Sequence, residues 1–179
     1  EKMTAIGEHI GTGLVDGIKG VASLPVDAIT GIAKSLISGF KELTKPQRQI
    51  LFRYSLGGGV QTSRQWEPLG PVDDLGNFGP ELSFGAYLRR TLHTEDTIAV
   101  VKFTHSGAQG PDWSPDGSPE AHRNLYPKFS TFVREALEDL ARRGHECTLE
   151  GVFWHTGEND TYFTPYRQNY AVWMQRCIS

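Results

Sequence analysis

Apolar residues recur at helical spacing through the first 45 positions, at Ile6, Ile10, Leu14 and Ile18 and then at Val26, Ile29, Ile32, Leu36, Phe40 and Leu43. The rhythm breaks at Ser23-Leu24-Pro25. Ser23 suits a helix cap and Pro25 a first turn, so the pattern predicts a helical hairpin over residues 1–45. Gly7, Gly11, Gly13, Gly17 and Gly20 each weaken a helix by about 1 kcal/mol relative to alanine, so the hairpin should need a surface to pack on. Gly7/Gly11 and Gly13/Gly17 have the spacing that lets helices approach closely. Asp16, Lys19, Asp27 and Lys34 interrupt any uncharged run of about 18 residues, so no transmembrane span is expected. Three surfaces fit this segment: its own domain, a larger protein assembly, or a membrane surface.

From residue 46 onward the period changes. Ile50-Leu51-Phe52-Arg53-Tyr54 reads as a strand, and Gly57-Gly58-Gly59 ends it in a flexible loop. Pro80 to Leu92 reads as a helix, and Thr97 to Thr104 as a buried strand of β-branched residues. The loop from His105 to about Asn124 is long and polar, a place to look for a binding wall. Pro127 to Arg143 is the best helix, with Phe129, Phe132, Val133, Ala136, Leu137 and Leu140 on one stripe and Gly144 as its stop. Leu149 to Trp154 reads as the next buried strand, and Pro165 to Ile178 as a closing helix with Tyr166, Tyr170, Trp173, Met174 and Cys177 on its core face. Strands alternating with helices predict a three-layer α/β domain with a mainly parallel sheet over 46–179. Right-handed crossovers would then bring three strand ends to one edge: Ser55 to Gly59, Thr104 to Gly107, and His155 to Asp160.

Composition narrows the function. The chain has 179 residues, 38% hydrophobic and 22% charged, with a formal charge of -3, which suits one globular domain plus a short extra segment. That charge, with no run of Lys or Arg, argues against nucleic acid as a partner. Cys147 and Cys177 read as two buried thiols, which leaves the compartment open. No basic and apolar leader pattern begins at Glu1.

Familiar chemistries can be tested in turn. His155 and Glu158, with His105 and Asp160 nearby, lack a second His at helical spacing or a CxxC, so no metal or cofactor is expected. Glu158 and Asp160 could act as an acid and a base, although carboxylates in such loops more often brace backbone amides. Ser106 beside His105 supplies the residue types of a nucleophile and its base, but neighbours in extended chain point opposite ways. Ser106 is therefore a weak candidate.

The run Gly151-Val-Phe-Trp-His-Thr-Gly-Glu-Asn-Asp160 resembles the Trp-His/Tyr-Gln-Gly-Glu-Ser/Asn-Asp block of sialate O-acetylesterase-like carbohydrate esterases, a branch of the SGNH hydrolases. The resemblance continues upstream in order, through Trp66-Glu67-Pro68-Leu69, Phe78-Gly79-Pro80-Glu81-Leu82-Ser83-Phe84, Val100-Val101-Lys102-Phe103 and Asp112-Trp113. It implies a flavodoxin-like fold and removal of acetyl groups from sugars by a Ser-His-Asp triad. It also implies roles: the Gly79 N–H and the residue at Thr156 for the oxyanion, Glu158 bracing the nucleophile loop, and His155, Gly157 and Asp160 completing the active-site loop. His105 and Trp113 would form one wall of the sugar site.

The chain departs from the family pattern in three places. No Gly-Gln-Ser-Asn-like nucleophile segment occurs in residues 1–49, no Asp-x-x-His segment occurs before Ser179, and Thr156 stands where a glutamine is common. The expectation is a degenerate, non-catalytic esterase-like domain serving a larger assembly through residues 1–45. Its rivals are an active acetylesterase on acetylated sugars whose triad lies outside this chain, and a sugar-binding module that keeps the cleft.

Overall fold

A computed structural model describes residues 26–72, 76–92, 95–118 and 123–178. The chain forms two compact units, Glu1–Lys45 and Pro46–Ser179. The first half of the expected hairpin lies outside the described residues. In the second half, helix α1 spans Val26–Leu43. Asp27 in its first turn and Lys41 in its last complement the helix dipole, and Thr44 Oγ1 donates to the Lys41 carbonyl at 3.1 Å beyond its end. Among the described residues no helix is long and apolar enough to cross a membrane.

The second unit is built on β1 (Gln47–Leu56). Ile50, Phe52 and Tyr54 are buried on one face and Leu51 and Arg53 partly buried on the other, so the strand is covered on both sides. One edge of β1 pairs in parallel with β4 (Ile98–Phe103), from Ile50 opposite Ile98 to Ser55 opposite Phe103. The other edge pairs antiparallel with β2 (Gln61–Thr62) and β3 (Glu67–Leu69). The sheet is therefore mixed, which corrects the expectation of a mainly parallel one. The cause lies in the turn after β1: Gly57, Gly58 and Gly59 all have positive φ, so the chain reverses at once and returns along β1. A parallel neighbour would need a longer crossover.

Helix α2 (Glu81–Leu92) covers one face of this sheet. Gly85 lies where any Cβ would strike Leu69 and Ile50, so α2 seats directly on both strands. Helix α3 (Leu125–Arg142) covers the other face, where Ala136 and Leu140 cluster with Trp66 against Leu51 and Val101. Arg53 extends over the Phe132 ring, 5.5 Å from its centre. Helix, sheet and helix make the three layers of an α/β domain.

The expected third strand does not form. Residues 145–157 carry no strand, and Leu149, Val152 and Phe153 are 61%, 65% and 71% exposed. An apolar run becomes a strand only when a neighbour takes up its backbone groups. Here two aromatic anchors hold the segment instead. Phe153 stacks on Phe84 of α2, and Trp154 meets Trp113 edge-on at 4.9 Å. Cys147, at the start of this segment, is exposed and not buried as expected. Helix α4 (Thr164–Ile178) closes the chain and contains no buried residue. Its partly buried positions do include Tyr166, Tyr170, Trp173, Met174 and Cys177, the stripe that the spacing picks out.

Candidate active-site framework

The C-terminal ends of β1 and β4 are tied together. Thr104 N–H donates to the Ser55 carbonyl at 2.9 Å, and Gly58 N–H donates to the Thr104 carbonyl at 2.8 Å. Gly58 lies under the His105 ring and Leu125, where a Cβ would come within 2.8 Å of the imidazole. Two of the three expected strand ends thus meet at one edge. The third arrives as a loop, because Gly157 to Asp160 docks although no strand precedes it.

That docking rests on Asp160, which is 2% exposed. Its Oδ1 accepts the Gly110 N–H at 2.8 Å, while its Oδ2 has no hydrogen-bond partner among the described residues. Burial raises the Asp160 carboxyl above its ordinary value; the Gly110 N–H draws it down, and the charges of Asp112 and Glu158 push it further up. Asp112 is equally buried, yet fully engaged. It accepts the Gln109 N–H at 2.8 Å and the Ser118 hydroxyl at 3.1 Å, and it pairs with Arg123 at 2.7 Å. Arg123 also donates to the Gly107 carbonyl, which joins the wall of this loop to the end of β4.

The 154–157 segment is clamped from α4. Trp154 Nε1 donates to the Tyr170 hydroxyl at 3.1 Å, and that hydroxyl donates to the Thr156 carbonyl at 2.7 Å. Gly157 has φ +123, and a Cβ there would come within 3.0 Å of the Tyr170 ring. This position therefore demands glycine for its backbone angle and for its neighbour.

The other expected site residues fall as follows. His155 and Glu158 are 75% and 70% exposed and approach only to 3.9 Å. The His105 ring nitrogen meets the Ser106 carbonyl at 2.8 Å, so the backbone of Ser106 and not its hydroxyl is the partner. Trp113 is 6% exposed, packed on Phe103, Phe129 and Trp154, and so belongs to the core where an open wall was expected. The Gly79 N–H donates to Glu81 Oε1 at 2.9 Å, and Lys102 donates to that same oxygen at 2.7 Å. Among the described residues no three His, Cys, Asp or Glu side chains are grouped to hold a metal ion.

The family described as carbohydrate esterase, sialic acid-specific acetylesterase matches residues 54–179. The chain belongs to this family. The match begins at the end of β1, so the tied strand ends, the His105 loop and the Asp160 loop all fall inside it. No curated protein and no solved structure matches the chain.

Three residues of this acetylesterase-family framework escaped the sequence reading as site residues. In the sequence Asp112 stands out only as the neighbour of Trp113. Arg123 and Tyr170 gave no local signal, because each acts through a partner distant in sequence.

One consequence concerns pH. The folded protein holds the Asp160 proton more tightly than the unfolded chain does. The stability contributed by this group is therefore full below the ordinary carboxylate range and is lost as pH rises through the raised folded value. Asp160→Asn imitates the protonated form. It should be more stable than wild type near neutral pH, with the difference closing on acidification, as urea melts across that range would report.

Proposed function

We propose that this chain is a non-catalytic, accessory member of the sialic acid-specific acetylesterase family, keeping the loop framework of the site without the groups that cleave an ester. One observation carries the reading: both histidines of the site turn to partners other than a hydroxyl. His105 meets a backbone carbonyl, and His155 lies exposed beside Glu158. A serine hydrolase needs its nucleophile within hydrogen-bonding reach of the base. Ser55, at the strand end, is 2% exposed and accepts from Thr62 Oγ1 at 3.3 Å. The Gly79 N–H, expected at the oxyanion, is held by the Glu81 carboxylate.

On this reading residues 1–45 dock on a larger assembly, and α1 presents Ile37, Lys34 and Lys41 at its surface. The rival is an active acetylesterase whose triad is supplied from outside this chain. It is favoured by the Asp160–Gly110 bond, which keeps the motif loop in place. Intact mass after treatment with a fluorophosphonate probe, alongside hydrolysis of p-nitrophenyl acetate, tests the proposal. The expected result is no adduct and no turnover above background. One adduct per chain, mapped to a single serine, overturns the proposal by placing a nucleophile within the chain, and turnover that appears only when a further segment or partner chain is added establishes the rival.

A further inference from the structure

At the opposite end of the sheet, we propose a binding groove for a carboxylated sugar, formed where β1 begins and α2 ends. The groove has a volume of about 530 Å³, which falls in the range of small-ligand sites. Arg48, Arg89 and Arg90 line it together with Gln47 and Gln49, and its lining among the described residues includes no carboxylate.

Its origin is a register shift. Gln47 pairs with Leu69 and Leu51 with Pro68, so β1 gains extra residues between two adjacent positions of β3. Such irregularities re-aim side chains, and here the extra residues include Arg48 and Gln49. Arg89 and Arg90 come from the last turn of α2, where the helix dipole favours cations. That dipole accounts for two guanidinium groups but not for the third, which arrives from a strand.

The groove is also partly pre-organised. Arg89 donates to Gln49 Oε1 at 3.3 Å and to the Asp96 carbonyl at 3.1 Å, which fixes its plane. Arg90 lies over the Tyr87 ring at 5.7 Å. Guanidinium groups match carboxylates in geometry and charge. The amide nitrogen of Gln49 and the amide oxygen of Gln47 can meet hydroxyl groups, while Pro46 and Ala86 offer small apolar surfaces to a ring. Charge, neutral amides and apolar patches in one short groove suit a carboxylated sugar better than an acidic peptide, which would be served by a longer run of cations.

At about 3.3 Å per residue, the length of β1 from Arg48 to Leu56 separates this groove from the loop framework by roughly 25 Å. The inference is therefore independent of whether any ester is cleaved.

Calorimetric titration of the full chain with 3′-sialyllactose, lactose and an oligoglutamate peptide tests it. Sialyllactose should bind at least about tenfold more tightly than lactose, and Arg48→Gln with Arg90→Gln should weaken it by about tenfold or more. Arg48→Gln alone should show a smaller loss in the same direction. Arg134→Gln, on α3 and 66% exposed at its side chain, removes one charge elsewhere and should change binding by less than about twofold. Equal binding of lactose, no binding of sialyllactose, or unchanged binding by the double variant overturns the proposal. Tighter binding of oligoglutamate overturns it too, and reassigns the groove to an acidic peptide.

Discussion

Glu81→Ala is expected to lower the unfolding free energy by about 3 kcal/mol, at the low end for breaking a buried ion pair because Lys102 keeps some access to water. The side chains of Glu81 and Lys102 are 7% and 18% exposed, and their contact is 2.7 Å. The carboxylate serves two donors at once, since Oε1 also accepts the Gly79 N–H. Removing it leaves an ammonium group and a backbone N–H without their acceptor between α2 and β4. Glu81→Gln retains an acceptor oxygen and loses the charge, so it should cost about half as much. Urea unfolding with an unchanged m-value would report both differences. A Glu81→Ala protein within about 0.5 kcal/mol of wild type, the range of an ordinary surface change, would mean that this pair does not anchor α2 to the sheet.

Gly110→Ala should be of similar size for a different reason. A Cβ at Gly110 would run into the six-membered ring of Trp173, meeting Cζ3 at 2.8 Å and Cε3 closer still. The indole is rigid, so the clash must be relieved by moving α4 away from the 3-10 turn Gly110–Trp113. Overpacking of this kind costs about 1–3 kcal/mol. Any displacement also pulls the Gly110 N–H from Asp160, so about 3 kcal/mol is expected, with a fall of about 10 °C in melting temperature. Trp173→Ala in the same chain should recover part of the loss, because the two changes share one contact. Thermal melts of the single and double variants measure this directly. Additive losses would show that Gly110 and Trp173 do not oppose each other.

These two sites illustrate what was legible and what was not. Helix α3 could be read closely because its apolar stripe repeats at 3.6 residues and faces a single layer. The period alone places Phe132, Ala136 and Leu140 together, and all three are buried. The motif loop was legible for another reason, since Gly157 and Asp160 are chosen by local backbone shape and by burial. The segment 149–154 was not legible. Its composition is that of a buried strand, but a strand also needs an edge that accepts its hydrogen bonds, and hydrophobicity carries no information about that edge. Trp113 was misplaced for a related reason: a tryptophan in a polar loop reads as a wall, and only its packing on Phe103, Phe129 and Trp154 shows it as core.

By itself, the amino-acid sequence resembled its family through ordered motif blocks, and its periods determined helices α1 to α4, the two paired strands β1 and β4 and the α/β class. Those follow from residue-by-residue preferences that act over one or two turns of chain. Only the tertiary structure decided that the sheet is mixed, that the third apolar run stays out of it, and that Glu81 captures the Gly79 N–H together with Lys102. It likewise decided that Arg48 joins Arg89 and Arg90. The mixed sheet follows from the reversal at Gly57 to Gly59, while the Glu81–Lys102 pair and the meeting of Arg48 with Arg89 and Arg90 join groups about 20 to 40 positions apart, whose competition for a hydrogen bond, edge or space is settled by packing.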